Sequence, residues 1–391
     1  MNKARLTAML VLVFVTITCH VGSSSAQSVP GTWLAGDLHV HTTYSHDSYG
    51  GPSDTNTGPE EVYTLGQSVE AQFTIASVRG LDYLAITDHD DITSQSDPEW
   101  GAGGVIAIPG YEISLEGHAQ MLGATKIYPK GDDLLSVRQL AAAIRGAKGI
   151  FQVNHPANGS TDWPHDTDWS YGYTVKPDTV EVWNISRLYQ PPMPSGSSND
   201  DAIAYWEGWL DRGARIGATG GSDNHWVSTA ALQGPGQPTT WVFAEDTTMA
   251  AVLEGLERGR TFISSQPPAY SGTELYLEGD VRRDGSWAAM VGDVVDREVP
   301  LRVRVLGAPG AMLRVVGDGG EEWFDPVLVN GATFEHVFDA PSVATWVRAE
   351  VFYPDLEGPR ELTCEDLVGS ETTYCRNQLA VMAMTSAIFL R

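Results

Sequence analysis

GDLHVHTTYSHDS, residues 36–48, places His39, His41, His46 and Asp47 within nine positions of the chain. The apolar Leu38 and Val40 alternate with the first two histidines, which is the period of a β-strand. Side-chain direction in a strand repeats every two residues, so His39 and His41 share one face. Two imidazoles on one face can grip one cation. The spacing alone equally suits two partly buried histidines bonded to backbone, so its meaning depends on what the rest of the chain brings to that face.

From Trp33 to about Ser265, short β-rich runs alternate with helical stretches, the pattern of βα units and mainly parallel strands. The strands are read at DLHVHT, YLAITDH, GVIAIPGYEIS, HAQMLGA, GIFQVNHP, TVEVWNIS, RIGATGGSDNH and TTWVFA, and the helices at 59–78, 134–148, 199–212 and 247–258. Residues that can bind a metal sit at the carboxyl ends of successive apolar runs. His39 and His41 follow GDL, His89 follows YLAIT, Glu112 follows VIAIPGY, His118 opens HAQMLG, His155 follows GIFQVN, and Asp223 and His225 follow RIGATGGS. In parallel βα architectures those ends converge on one face, where active sites lie. Histidine nitrogen combined with carboxylate oxygen suits zinc, manganese or iron, and the absence of nearby cysteine argues against a structural zinc knuckle.

Beyond FISSQPPAY the texture changes to short alternating strands separated by Gly, Pro and Asp, which reads as an antiparallel β-domain, sandwich-like, or as a sheet completing the first domain. At the other end, Lys3 and Arg5, an apolar run from about Met9 to Ile17 and the small residues Ser24-Ser25-Ala26 read as a cleavable export signal over 1–26, too short for a membrane span. The expected division is therefore 1–26 signal, 33–268 catalytic domain and 269–391 β-rich domain, with the mature protein periplasmic or extracellular. Removing the two basic residues of the signal leaves 22 basic against 50 acidic side chains, a formal charge near −28. That balance disfavours nucleic acid as a partner. Cys364 and Cys375 survive cleavage and are candidates for a disulfide in an oxidising compartment.

The ordered set DLHVHTTYSHD, LAITDHD, PGYEIS, GHAQMLG, NHP and GGSDNH resembles the PHP (polymerase and histidinol phosphatase) superfamily of metal-dependent hydrolases over about residues 36–265. VEVWN, the helix with Trp206 and Trp209, GRTFISSQPP and MTSAIFL look more like the exported branch that includes carbaryl hydrolase. The resemblance implies an α/β fold, a distorted (β/α)7 barrel with two or three divalent metals at its mouth. Carried over by motif position, His39, His41, Glu112 and Asp223 would hold the first metal. Glu112 would bridge to a second, completed by His118 and His155, and Asp47, His89 and His225 would hold a third. The match is loosest at His118.

Such a site implies hydrolysis by a metal-bound hydroxide held by Glu112, Asp223 and His155. The expected reaction is cleavage of a phosphomonoester or phosphodiester of a small molecule, with a carboxylic ester, carbamate or amide as the alternative. A non-catalytic metal- or glycan-binding protein is the competing class. No GxSxG element is present, and a polymerase-associated nuclease conflicts with the signal and the chain length. No obligate protein partner is indicated. Asp37, Asp88, Asp90 and Asn154 flank the ligands, where carboxylates and amides commonly fix imidazole tautomers. His46 is read as an outer or substrate-facing group or an exposed loop residue, Arg187 as a contact for an anionic substrate or a surface residue, and His165 and His336 as surface positions.

Overall fold

The computed structural model describes residues 30–47, 67–131, 133–156, 169–184, 199–225, 234–353 and 381–391. The expected signal segment, His165, Arg187, Cys364, Cys375 and the first part of the helix expected at 59–78 lie outside them. The apolar runs form β1 (Thr32–Val40), β2 (Tyr83–Ile86), β3 (Ile106–Pro109), β4 (Glu112–Leu115), β5 (Gly117–Leu122), β6 (Ile150–Val153), β7 (Thr179–Asn184), β8 (Gly217–Gly221), β9 (Thr239–Ala244) and β10 (Thr261–Ser264). Between them lie helices α1 (Val69–Val78), α2 (Leu134–Gly146), α3 (Asn199–Asp211) and α4 (Met249–Glu257). Side-chain oxygens of Ser68, Asp133 and Thr248 accept hydrogen bonds from the first-turn amides of α1, α2 and α4, satisfying donors that a helix cannot satisfy itself.

The strands make two sheets around the site. One contains β3-β2-β1-β9-β10 and continues through Val381–Thr385 and Trp346–Phe352, and the other is β4-β5-β6-β7-β8. GVIAIPGYEIS is thus not one strand. It breaks at Pro109-Gly110 and passes from one sheet to the other. The expectation of mainly parallel strands holds for β1-β2-β3 and β6-β7-β8, but fails for an equal number of pairings: β4-β5, β5-β6, β1-β9 and β9-β10 are antiparallel. For β4-β5 the cause is local: the two strands are separated by Glu116 alone, and Gly117 takes a φ of +102° in the reversal. A parallel pairing would need a crossover of a dozen residues or more. Isolated bridges, Val40 with Asn224 and His89 with Glu112, join the sheets at the carboxyl ends of β1 and β2.

The carboxy-terminal strands extend the sheet that contains β1, because Val381–Thr385 pairs with β10. A third sheet, antiparallel throughout, is built from β11 (Glu274–Gly279), Ala289–Met290, Pro300–Leu306 and Thr333–Asp339. Leu275, Leu277, Leu301, Val303 and Val305 from it share one buried cluster with Leu313, Val315, Val347 and Val351. A buried ion network ties Trp346–Phe352 to α3: Arg348 Nε donates to Glu207 at 2.7 Å, and both Arg348 and Arg314 donate to Glu350. No helix among the described residues is long and apolar enough to cross a membrane.

Candidate metal centre

His39 near the end of β1 and His41 just past it are both fully buried, close to Glu112 of β4 and Asp223 beyond β8. Their outer nitrogens are engaged. His39 Nδ1 lies 2.9 Å from the carboxylate oxygen Oε1 of Glu181, and His41 Nδ1 lies 3.1 Å from the hydroxyl of Ser45. A carboxylate accepts, so the His39 proton is on Nδ1. Ser45 donates its one proton to Asp47 Oδ1 at 2.7 Å, so from His41 it accepts, and that proton is on Nδ1 as well. In the neutral form of each ring Nε2 then carries a lone pair, and the two Nε2 atoms lie 3.1 Å apart.

Two carboxylates close on the same point. Glu112 Oε2 lies 3.0 Å from His39 Nε2 and 3.3 Å from His41 Nε2, and Asp223 Oδ1 lies 3.2 Å from each. Four electron-pair donors are thereby crowded with five of their six separations between 3.0 and 3.3 Å. A tetrahedral ion with bonds of about 2.1 Å sets its donors about 3.4 Å apart. A proton could satisfy two of these donors, whereas one divalent ion satisfies all four. The donor set fits a metal ion.

The other expected residues gather around Glu112. Its second oxygen, Oε1, lies 3.2 Å from His118 Nδ1 and 3.3 Å from His155 Nε2, and accepts from Asn154 Nδ2 at 2.8 Å. On the far side of His41, His225 stacks on its ring at 3.8 Å, and Asp47 Oδ2 lies 2.7 Å from His225 Nε2 and 3.4 Å from His89 Nε2. Four groups of donors could hold ions: His39, His41, Glu112 and Asp223; His41, Asp47, His89 and His225; His89, Glu112 and His118; and His39, His155 and Glu181. All nine residues expected as ligands fall within them, but the expected second set does not: His118 groups with His89 and Glu112, and His155 with His39 and Glu181. Asp223 and His155 have φ of +49° and +25°, strained values that cluster at functional sites.

The electrostatics ask for positive charge. Burial pushes Glu112 and Asp223 up, but neighbouring imidazoles outweigh it and hold both well below the usual carboxylate range. Burial opposes protonation of His225, yet Asp47 and Asp223 raise it to about 10. His89 goes the other way, to about 4, because burial dominates. Solvent reaches the centre from the side of Asp47 and His118, 29% and 18% exposed.

Of the flanking residues, only Asn154 touches a donor side chain, Glu112. Asp37 accepts from the amides of His39, Ser222 and Gly236, fixing backbone where β1 meets β8. Asp88 accepts from the amide and hydroxyl of Thr42, and Asp90 pairs with Lys130 at 2.6 Å. None of the three aspartates bonds an imidazole ring nitrogen among the described residues. Glu181 and Ser45 do so instead, and sequence reasoning passed over both. A glutamate inside the apolar run TVEVW is a readable signal, since a buried carboxylate needs partners. Gly221 makes room for it: a Cβ there would lie 2.4 Å from His39 Cβ and 2.5 Å from Glu181 Oε1. His46 is exposed, its ring 4.9 Å from that of His89. His336 lies on Thr333–Asp339 against Phe324 and Phe338.

The family described as protein of unknown function (DUF3604) matches residues 30–97, the segment carrying His39, His41, Asp47 and His89. The chain is similar to several solved structures. A two-domain protein from Bacteroides vulgatus containing a predicted PHP-like metal-dependent phosphoesterase is 15% identical, with 82% of this chain and 90% of that one covered and a TM-score of 0.43. A protein from Bifidobacterium adolescentis described as a metal-dependent phosphoesterase is 14% identical, covering 51% of this chain and 90% of that one, at a TM-score of 0.33. An amidohydrolase from Chromobacterium violaceum is 15% identical, covering 49% and 87%, at 0.31. No curated protein matches the chain.

Proposed function

We propose that the protein is an exported hydrolase that uses two or three divalent metal ions, zinc, manganese or iron, to cleave a phosphoester of a small molecule. One observation carries this reading: the Nε2 atoms of His39 and His41 meet 3.1 Å apart and share Glu112 and Asp223 as neighbours. In this reading those four residues hold one ion. Glu112 reaches a second with His118 and His155, and Asp47, His89 and His225 hold a third. Ions so held supply Lewis acidity and make water a nucleophile near neutral pH.

The chain's own groups do the rest. Glu181 orients His39, Asn154 orients Glu112, and the open side at Asp47 and His118 admits substrate. The reading also carries a closed, distorted (β/α)7 barrel over 33–268, a sandwich-like unit over 269–391, and cleavage of 1–26 during export to the periplasm or beyond. A carboxylic ester, carbamate or amide is the second reading, favoured by the VEVWN segment that supplies Glu181, the feature akin to the carbaryl-hydrolase branch.

The test is elemental analysis of the purified protein followed by rates with p-nitrophenyl phosphate, its bis ester, p-nitrophenyl acetate and a naphthyl carbamate. Turnover of either phosphate supports the first reading. Turnover of only the acetate or carbamate transfers the site to the second, and metal uptake without any turnover leaves a binding protein.

A further inference from the structure

Ser45 is a small residue in a loop, four positions after His41 and two before Asp47, and nothing in its type announces a role. Its hydroxyl nevertheless touches three of the proposed ligands. It donates to Asp47 Oδ1 at 2.7 Å, and it accepts from His41 Nδ1 at 3.1 Å and from the amide of His89 at 3.1 Å. A hydroxyl offers one proton and two lone pairs, so these three bonds use its whole capacity and leave no alternative assignment of donors. The residue is 3% exposed, so water does not stand in for it.

The hydroxyl is held by the turn that carries it. Ser45 N donates to Thr42 O at 3.0 Å, and Thr42 is clamped from the other side by Asp88, which accepts from its amide at 2.6 Å and its hydroxyl at 2.9 Å. That gives the buried Asp88 carboxylate its task. The His41 amide donates to Asn224 O at 3.0 Å and the His41 carbonyl accepts from Gln72, so the backbone on that side is fixed as well.

We infer that Ser45 is a positioning residue that joins two of the metal positions: it holds His41 in the Nδ1–H form, with Nε2 aimed at the first position, while orienting Asp47 toward the third. The inference rests on the metal-dependent reading above. Without the hydroxyl, the buried His41 Nδ1–H loses its acceptor, Asp47 Oδ1 loses its donor, and the imidazole is free to take the other tautomer, which presents an N–H instead of a lone pair. Outer hydrogen-bond partners of metal ligands typically change affinity about 10- to 100-fold.

The experiment compares the full chain with Ser45→Ala, both stripped with chelator and titrated with Mn2+ by calorimetry, with elemental analysis after dialysis against limiting Mn2+ and thermal unfolding of the metal-free proteins. The expected result is a Kd raised about 10- to 100-fold for at least one ion, loss of that equivalent on dialysis, and only the modest loss of metal-free stability that the unsatisfied His41 Nδ1–H and His89 amide bring. Equal stoichiometry and Kd in the two proteins would overturn the inference while leaving the metal-dependent reading intact. A metal-free Ser45→Ala protein that unfolds well below the parent would also overturn it, since the hydroxyl would then serve the fold. If the unaltered protein takes up neither Mn2+ nor, in the same titration, Zn2+ or Fe2+, the reading beneath fails and the inference goes with it.

Discussion

Gly221→Ala adds one methyl group at the tightest point behind the metal centre. The new Cβ would lie 2.4 Å from His39 Cβ and 2.5 Å from Glu181 Oε1, whereas carbon atoms in contact sit about 3.5–4.0 Å apart. Something must move by about 1 Å. Neither neighbour is a loose end, because Glu181 is fully buried and bonded to His39 Nδ1, to the His155 amide at 3.2 Å and to Asn184 at 3.0 Å. β8 is itself paired with β7 at this level, Gly221 opposite Asn184. The displacement therefore falls on His39 or on the Glu181 contact, and a misplacement of that size costs on the order of 100-fold in rate. The folding cost of such overpacking is about 1–3 kcal/mol, small enough to leave the protein folded. We expect kcat/KM on the turned-over chromogenic ester to fall about 100-fold, with weaker metal uptake and a modest loss in urea unfolding. Gly146→Ala, at the end of α2 where a Cβ meets nothing within 4 Å, serves as the control and should leave the rate unchanged. A Gly221→Ala enzyme with a rate within about threefold of the parent, well short of that 100-fold loss, would refute the packing argument.

His39→Ala or Asp223→Ala should remove both the first ion and turnover, checked by elemental analysis and the same assay; full rate in either would contradict the assignment. His336→Ala should leave the rate untouched, because its contacts are Phe324 and Phe338 and not the centre. In the buried network, burial would raise Glu350, but Arg348 and Arg314 outweigh it and take it from 4.5 down to about 2. That difference corresponds to about 3 kcal/mol at neutral pH. The folded value lies below the unfolded one, so this stabilisation is present above about pH 4.5 and is lost as pH falls toward 2. Glu350→Gln should cost about 3–5 kcal/mol in urea unfolding at pH 7, with the gap to the parent narrowing below pH 4; a gap independent of pH would refute the assignment.

The clustering of seven of the nine donors was readable because each follows an apolar run, and the rule that such ends converge requires only the order of elements, not their distances; His118 opens its strand and Asp47 lies in the loop after β1. Strand direction was less readable. Whether β4 and β5 run parallel depends on the single residue between them, and the run GVIAIPGYEIS disguises two strands as one. Glu181 left a trace, a carboxylate in an apolar strand. Ser45 left none, because a serine in a loop gains its meaning only from the partners that two other segments bring to it.

The break at Pro109-Gly110 also explains how one carboxylate serves two groups of histidines. Proline cannot donate to a strand ladder, and the chain leaves the first sheet there and enters the second at Glu112. Glu112 is therefore the first residue of β4, at the seam between sheets, with its amide 3.2 Å from the carbonyls of both Thr87 and Asp88 and its own carbonyl accepting from Asp90 at 2.8 Å. Held on both sides by the end of β2, its side chain points along the seam. One oxygen meets His39, His41 and His89 from the first sheet's strand ends, and the other meets His118 and His155 from the second. A glutamate inside either sheet would face the donors of that sheet alone, so the interruption that hides the strand boundary is also what lets Glu112 span the centre.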